Sequence, residues 1–541
     1  MNSKKEVIRC YGFLEPKIMQ DEKEYCQSVS LEHRKKYAQF FTPYPIADFM
    51  AQWILGNTDC KTILDPAFGL GVFARAIFDN TDRNINITGL EIDSLILSQA
   101  RKLNHHLNVN LYHQDYISQD WQENYDGIIC NPPYFKFHDY DNKTNLKEIK
   151  QKLGITLTGF TNLYTLFLLK SIYQLNPNGR IAYIVPSEFL NSDYGKKIKD
   201  YLIKDGKLRY VIILDFAENI FTDAITTSSI LLFAHDKKSQ DLEFISVKSL
   251  TELNNLQTEL NKYPQSLTGG NKLNYSQINP KLKWRLYYQP QQSLNFKNLV
   301  PFSAYGKVVR GIATGANDYF TFNLEKQKHY KIPDCYLLPC IPKANYINSP
   351  FFNLATFEEL KEKNKKVLLL NVTDLQNENV KKYIQLGEEN QIHKKHLTSH
   401  RKPWYAIEKR PPSPIWVSVF NRNGLRFIKN EAKIRNLTTF HCIYLNLLSA
   451  NREDLLFAYL LTDVSKKIFQ DNRREYGQGL EKFEPNDLNS SLVVNLDCIT
   501  VQEEIKIIDL FQRYRKNIFS NHTQSEFLKE INEIFSRIIT K

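Results

Sequence analysis

"TILDPAFGLGVFARAIFDN", Thr62 to Asn80, carries three structural signals in succession. A short β-rich run ends on an acid, Asp65; two glycines follow, Gly69 and Gly71; then apolar residues recur at helical spacing. Strand, glycine turn and helix together open a βαβ unit. Glycines at such a turn let the backbone approach a ligand, and the amino end of the next helix favours negative charge. Gly-x-Gly alone also fits an ordinary tight turn. The full dinucleotide fingerprint is absent, because no third glycine stands at the required spacing.

Outward from this stretch, β-rich runs alternate with helical patterns from about residue 60 to 235. The predicted strands are 62–65, 87–92, 110–115, 125–131, 180–186, 209–215 and 227–234. Alternation of this kind predicts an α/β fold, a mostly parallel sheet with helices on both faces. The short connection "AENIFTDAIT" between the last two runs predicts a closing hairpin, and so one antiparallel edge strand. Polar, Asn-rich and Gly/Pro-punctuated sequence follows, and after it the alternation does not return. The expected organisation is a leader at 1–30, an α/β domain at 31–240, a linker or insertion at 241–300 and a separate mixed α+β domain at 301–541.

The chain has 541 residues, 42% hydrophobic and 24% charged, which is globular composition for two or three domains. A formal charge of +12 with 30 Tyr and 33 Phe suits a polyanion whose bases can stack, although a merely basic surface would look the same. The 8 cysteines form no CxxC pair, so neither a zinc site nor a disulfide framework is expected, and no metal is. The first residues, "MNSKKEVIRC", contain no apolar signal core, and no run of 18 apolar residues occurs. A cytoplasmic protein without membrane contact is expected.

Three acids fall at three successive strand ends: Asp65, then Glu91 in "GLEID", then Asp115 in "HQDY". Each alone fits a solvated turn or a helix cap. Around one glycine loop they form a nucleoside pocket, with Glu91 placed for ribose hydroxyls and Asp115 for an adenine amine. Ribose and adenine contacts without a phosphate fingerprint point to S-adenosylmethionine.

The fourth strand end reads "YDGIICNPPYFKF", Tyr125 to Phe137. Each proline fixes its own φ and restricts the residue before it, so Asn131 is pinned where open α/β sheets place ligands. An exocyclic amine on a base is a poor nucleophile, because its lone pair is delocalised into the ring. Two acceptors facing its N–H bonds, Asn131 Oδ1 and the Pro132 carbonyl, would pull the nitrogen toward tetrahedral geometry. Pro133 stiffens the turn and Tyr134 can stack on the base.

"NPPY", preceded by "DPAFGLG", "GLEID" and "HQD", resembles the amino-group DNA methyltransferases. "YAQFFTPYPIADFM" (37–50) is similar to their cofactor motif, and it precedes the glycine loop as in gamma-class, TaqI-like adenine-N6 enzymes of type II restriction–modification systems. The resemblance is strong over 31–235 and extends through "VVRGIATGANDYF", "KPWYAIEKRPPSPIWVSVFNRN" and "EYGQGLEKFEPNDL" into a target-recognition region. It implies a Rossmann-like S-adenosylmethionine-dependent sheet. Thr42 would contact the methionine part, Asp65 and Ala67 border it, Gly69 and Gly71 form the loop, and Pro132 lie near cofactor and substrate. Phe221 would sandwich an extruded adenine against Tyr134, though a core Phe at a strand start reads the same way.

The expected substrate is an adenine flipped from double-stranded DNA. The segment 391–436 carries eleven Lys/Arg against two acids, interleaved with Trp404, Tyr405, Trp416, Phe420 and Phe427, and is expected to face DNA. Arg422 and Arg426 are the candidate DNA contacts. "NPPY" also occurs in methyltransferases acting on protein glutamine or RNA guanine, which are usually short. Cytosine-N4 enzymes typically carry Ser at the position of Asn131. A catalytically silent specificity protein is the remaining alternative. A fused nuclease is not expected, since about 30 residues precede the cofactor motif. A monomer working beside a separate restriction endonuclease is.

Overall fold

The computed structural model describes residues 19–134, 143–157, 162–192, 194–216, 228–289, 291–422, 424–447, 449–476, 480–519 and 526–540. The chain divides into two compact units, Met1–Gln289 with Glu475–Gly479, and Pro290–Arg474 with Leu480–Lys541.

The first unit holds strands β1 (Thr62–Asp65), β2 (Asn86–Glu91), β3 (Val109–His113), β4 (Tyr125–Cys130), β5 (Leu175–Pro186), β6 (Leu208–Leu214), β7 (Ser228–Ala234), β8 (Asp241–Val247) and β9 (Asn271–Asn274). Its helices are α1 (Gln20–Ser28), α2 (Leu31–Lys36), α3 (Tyr44–Leu55), α4 (Val72–Asp79), α5 (Ser94–Leu103), α6 (Lys143–Leu153), α7 (Leu163–Tyr173), α8 (Glu188–Asn191), α9 (Gly195–Asp205) and α10 (Leu250–Leu260). The strands form one sheet in the order β3-β2-β1-β4-β5-β7-β6-β8-β9. Strands β1 to β5 run parallel, so Asp65, Glu91 and Cys130 end on one edge.

Period-two alternation divides the core. Ile63 and Ile129 join one apolar layer, which includes Phe49 and Trp53 of α3 and Phe73 and Ile77 of α4. Leu64 and Ile128 join the opposite layer, with Leu166 and Leu169 of α7. Both faces are covered, as parallel strands require, which is why these strands read as continuous apolar runs.

Two sequence expectations are corrected here. The strand of the predicted closing hairpin is not at the edge: β7 inserts between β5 and β6 and runs antiparallel to both. The first part of the expected linker or insertion at 241–300 extends the sheet instead, with β8 parallel to β6 and β9 antiparallel to β8. The outermost strand, "NKLN", is short and mostly exposed, as a safe sheet edge should be, and its polarity hid it in the sequence.

The second unit contains a five-stranded sheet in the order Gly306–Arg310, Phe440–Leu445, Ile415–Ser418, Phe427–Asn430, Phe351–Phe352. The helices Val501–Phe519 and Glu526–Thr540 supply Ile507, Phe511, Ile534 and Phe535 to its larger apolar core. Trp416 and Phe427, expected among aromatics facing DNA, lie in this unit's cores at 0% and 4% exposure. Every position of the Ile415–Ser418 strand is buried, so alternation gives no outward-facing aromatic there. Phe420, at 53%, is exposed. No helix among the described residues is long and apolar enough to cross a membrane.

Candidate active site at the carboxyl edge of the sheet

A cavity of about 360 Å³ opens at the strand ends, within the usual range for small-molecule sites. Its wall includes Thr42, Ala67, Gly69, Glu91, Asp115, Asn131 and Pro133. The topology explains the convergence, because β1 and β4 are adjacent strands at the point where the sheet order turns outward both ways.

The glycine loop is built as its composition demands. Gly69 has φ +56° and Gly71 φ +88°, both in the left-handed region that favours glycine. A Cβ on Gly71 would meet Asn104 Nδ2 and the Phe68 ring at 2.7 Å. The Gly69 N–H donates to Glu91 Oε2 at 3.0 Å, while Glu91 Oε1 accepts from the N–H groups of Ile92 and Asp93, each at 2.9 Å. The loop amide that would face a pyrophosphate in a dinucleotide fold is therefore taken by a carboxylate. A phosphate there would meet negative charge, whereas ribose hydroxyls would meet an acceptor. Burial pushes the Glu91 carboxyl up, against the three backbone N–H bonds that favour its ionised form.

Asp65 is fully buried beneath the loop and does not line the cavity. Its Oδ1 accepts from the Ala67 N–H at 3.2 Å, its Oδ2 has no hydrogen-bond partner among the described residues, and burial pushes its pKa up to about 8. Asp115 stands two residues beyond β3 rather than on it, and its Oδ1 accepts from the Ile117 N–H at 3.0 Å. The following turn is fastened by Lys170 of α7, whose Nζ donates to the carbonyls of Tyr116, at 2.7 Å, and Gln119. Burial pushes Lys170 down to about 8.

Asn131 has one amide orientation open to it. Its Nδ2 donates to the Phe40 carbonyl at 2.8 Å and to Thr42 Oγ1 at 3.0 Å; the carbonyl can only accept, so this end must be the nitrogen. Oδ1 is thereby directed the other way, where it accepts from the Tyr134 hydroxyl at 2.6 Å. That hydroxyl also reaches the Ile184 carbonyl at 3.2 Å, and the Tyr134 ring lies nearly parallel to Phe40 with centroids 6.0 Å apart. Pro132 is buried. Phe40 was not singled out from the sequence, although it sits in the motif that was; its backbone role leaves no mark in residue type.

Other expected contacts fall outside this cluster. Phe221 lies outside the described residues. In the second unit, Arg422 and Arg426 are both exposed, but the Arg426 guanidinium donates to the Ile347 carbonyl, and its partial burial lowers its pKa. The basic segment is partly self-satisfied: Arg401 donates to the carbonyls of Ala313 and Thr314, and Lys429 pairs with Glu453 and Asp454.

Comparison with known proteins fits this geometry. The N-6 DNA methylase family matches residues 16–266, and the C-terminal domain family of type II methyltransferase M.Eco57I matches residues 288–535. Type II methyltransferase M.AccI of Acinetobacter calcoaceticus is 54% identical over 518 residues, 95% of this chain and 96% of that protein. Type II methyltransferase M.XamI of Xanthomonas campestris pv. amaranthicola is 23% identical over 492 residues, 86% of this chain and 87% of that one. Among solved structures, the type IIL restriction–modification enzyme MmeI in complex with DNA aligns with a TM-score of 0.54 at 12% identity, over 96% of this chain and 73% of that one, a likeness of fold alone. The chain belongs to the type II methyltransferases, and its first half to the N-6 DNA methylase family.

Proposed function

We propose that this protein transfers a methyl group from S-adenosylmethionine to N6 of an adenine swung out of double-stranded DNA, at a specific site, as a gamma-class enzyme. The observation carrying the reading is the forced direction of the Asn131 amide beside the cavity that Glu91 and Asp115 also line. The fit to the cofactor rests on the acceptors in the cavity wall, Glu91 at the end of β2 and Asp115 just past β3, and on a loop amide closed to phosphate.

S-Adenosylmethionine, when bound, supplies an electrophilic methyl on its sulfonium. Thr42 and Ala67 would border its methionine end, Glu91 hold the ribose and Asp115 the adenine amine. The Tyr134 hydroxyl marks where a hydrogen-bond donor meets Asn131 Oδ1. The target's amine takes that place: Asn131 Oδ1 accepts one N–H and the Pro132 carbonyl the other, which localises the nitrogen lone pair and stabilises the positive charge that develops as it attacks. Tyr134, its hydroxyl displaced, offers its ring face to the base. The diproline backbone holds these groups without reorganisation at the moment of reaction. Cytosine-N4 is the second reading with the same acceptor logic; Asn rather than Ser at 131 favours adenine.

In the cell the protein would act in the cytoplasm as a monomer, protecting host DNA from a separate endonuclease. The test is to incubate duplex DNA with methyl-labelled cofactor and digest it to nucleosides. Label is expected on N6-methyldeoxyadenosine; label on cytosine, or on RNA or protein alone, rejects the proposal.

A further inference from the structure

One wall of the cavity comes from α1, in the stretch that the sequence marked as a leader. Glu22 lines the cavity and is 1% exposed. Its Oε1 is ion-paired with Arg75 of α4, while its Oε2 is buried with no hydrogen-bond partner among the described residues. Arg75 also donates through Nη1 to the Leu70 carbonyl at 2.7 Å, tying the same guanidinium to the glycine loop. One helical turn along α1, Tyr25 packs with Leu70 and Ile96 and donates its hydroxyl to Gln39 Oε1 at 3.1 Å. Residues three apart share a helix face, so Tyr25 and the Arg75 pair together seat Glu22 against the cavity.

A buried carboxylate oxygen without a donor is costly, and here it borders a space built for a ligand. S-Adenosylmethionine carries three kinds of donor: the adenine amine, the ribose hydroxyls and the methionyl α-ammonium. Among the described residues, the acids in the cavity wall are Glu22, Glu91 and Asp115. The reading above assigns Glu91 to the ribose and Asp115 to the amine. The ammonium, the one cationic donor, then faces Glu22, since Asp65 lies beneath the wall. We infer that Glu22 is a cofactor-binding residue whose Oε2 accepts a hydrogen bond from the methionyl ammonium. This rests on the S-adenosylmethionine reading.

The experiment is calorimetric titration of the full-length protein with two ligands. S-Adenosylhomocysteine keeps the amino-acid end; 5′-methylthioadenosine lacks it. Glu22→Gln should weaken the first by about tenfold or more, as loss of a charged hydrogen bond does, and change the second less than twofold. Glu22→Asp, keeping the charge, should recover part of the first. Equal weakening of both ligands by Glu22→Gln means a packing role and overturns the inference, as does no weakening at all. If the wild type binds neither ligand, the cofactor reading falls and this inference with it; if it binds both while Glu22→Gln behaves normally, only this inference falls.

Discussion

Asn131 works through the direction of its amide, and that direction is set by two acceptors on the strand-preceding segment, Phe40 and Thr42. Asn131→Ala removes Oδ1, and methyl transfer in single-turnover assays should fall by about a hundredfold or more, the scale for losing one preorganised electrostatic partner. Cofactor affinity should stay within a few-fold, since Asn131 supplies neither the ribose nor the adenine contact; undiminished turnover would refute its role. Tyr134 separates two functions. Tyr134→Phe deletes the hydroxyl that holds Oδ1 but keeps the ring, so turnover should remain within about tenfold, whereas Tyr134→Ala loses base stacking worth about 1–3 kcal/mol and should cost far more. A phenylalanine variant as dead as the alanine variant would place the chemistry on the hydroxyl instead. Asp65 gives a pH signature. Its folded pKa, about 8, is raised above the ordinary carboxylate value of 3.8 by burial. Its contribution is therefore fully present below about pH 4 and is lost as pH rises toward 8. In cofactor-free protein, Asp65→Asn should flatten that part of the stability–pH curve and raise stability near pH 8 by at least about 1 kcal/mol. Denaturant unfolding across pH 5 to 8.5 checks this, and parallel curves for wild type and variant would contradict it.

At the scale of elements, what was legible in the sequence is what local chemistry determines. The β1–loop–α4 unit showed itself because positive φ at Gly69 and Gly71 needs glycine, and because α4 buries Phe73 and Ile77 at helical spacing. The ends of β1 and β4 were readable because Ile63, Leu64, Ile128 and Ile129 run consecutively apolar into both layers of the core, and the end of β2 because its buried positions precede Glu91. The position of β7 was not: a hairpin's two strands pair wherever the rest of the sheet leaves room, and that depends on partners far away in sequence. Nor were β9 and α1, whose exposed or one-sided faces leave mostly polar residues; in α1 only Glu22 and Tyr25 are buried. The carboxylate network was half legible, since residue type suggested Glu91 and Asp115 but nothing local says that Asp65 withdraws behind the loop. The loop also offers a graded test. Gly71→Ala meets both a positive φ and a Cβ clash at 2.7 Å with Asn104 and Phe68, whereas Gly69→Ala meets the φ alone in open space. Gly69→Ala should cost about 1 kcal/mol and Gly71→Ala clearly more. Thermal unfolding should rank wild type above Gly69→Ala above Gly71→Ala, and the reverse order would mean that the loop's packing is misread.

For the whole molecule the question is where the +12 charge acts. Much of the segment 391–436 is already engaged: Arg401, Arg426 and Arg435 donate to backbone carbonyls, Lys429 and Arg410 pair with acids, and Trp416 and Phe427 are core. A basic count in sequence therefore overstates the charge offered to a phosphate backbone, because a guanidinium held by carbonyls serves the fold. Arg422 and Arg426 are both exposed, and what separates them is the bond that ties the Arg426 guanidinium to the Ile347 carbonyl. If the protein grips duplex DNA through counterion release, the logarithm of its affinity should fall linearly with the logarithm of salt, by about 0.9 per phosphate neutralised. Arg422→Ala should reduce that slope by about one without moving the melting temperature. Arg426→Ala should do the opposite, lowering the melting temperature while leaving the slope in place, since its guanidinium is tied to Ile347. Fluorescence anisotropy over 50 to 300 mM salt, with unfolding scans of the same preparations, separates the two. A flat wild-type response would remove phosphate contacts from the account altogether, and a slope change at Arg426 would mean that its carbonyl bond gives way when DNA arrives.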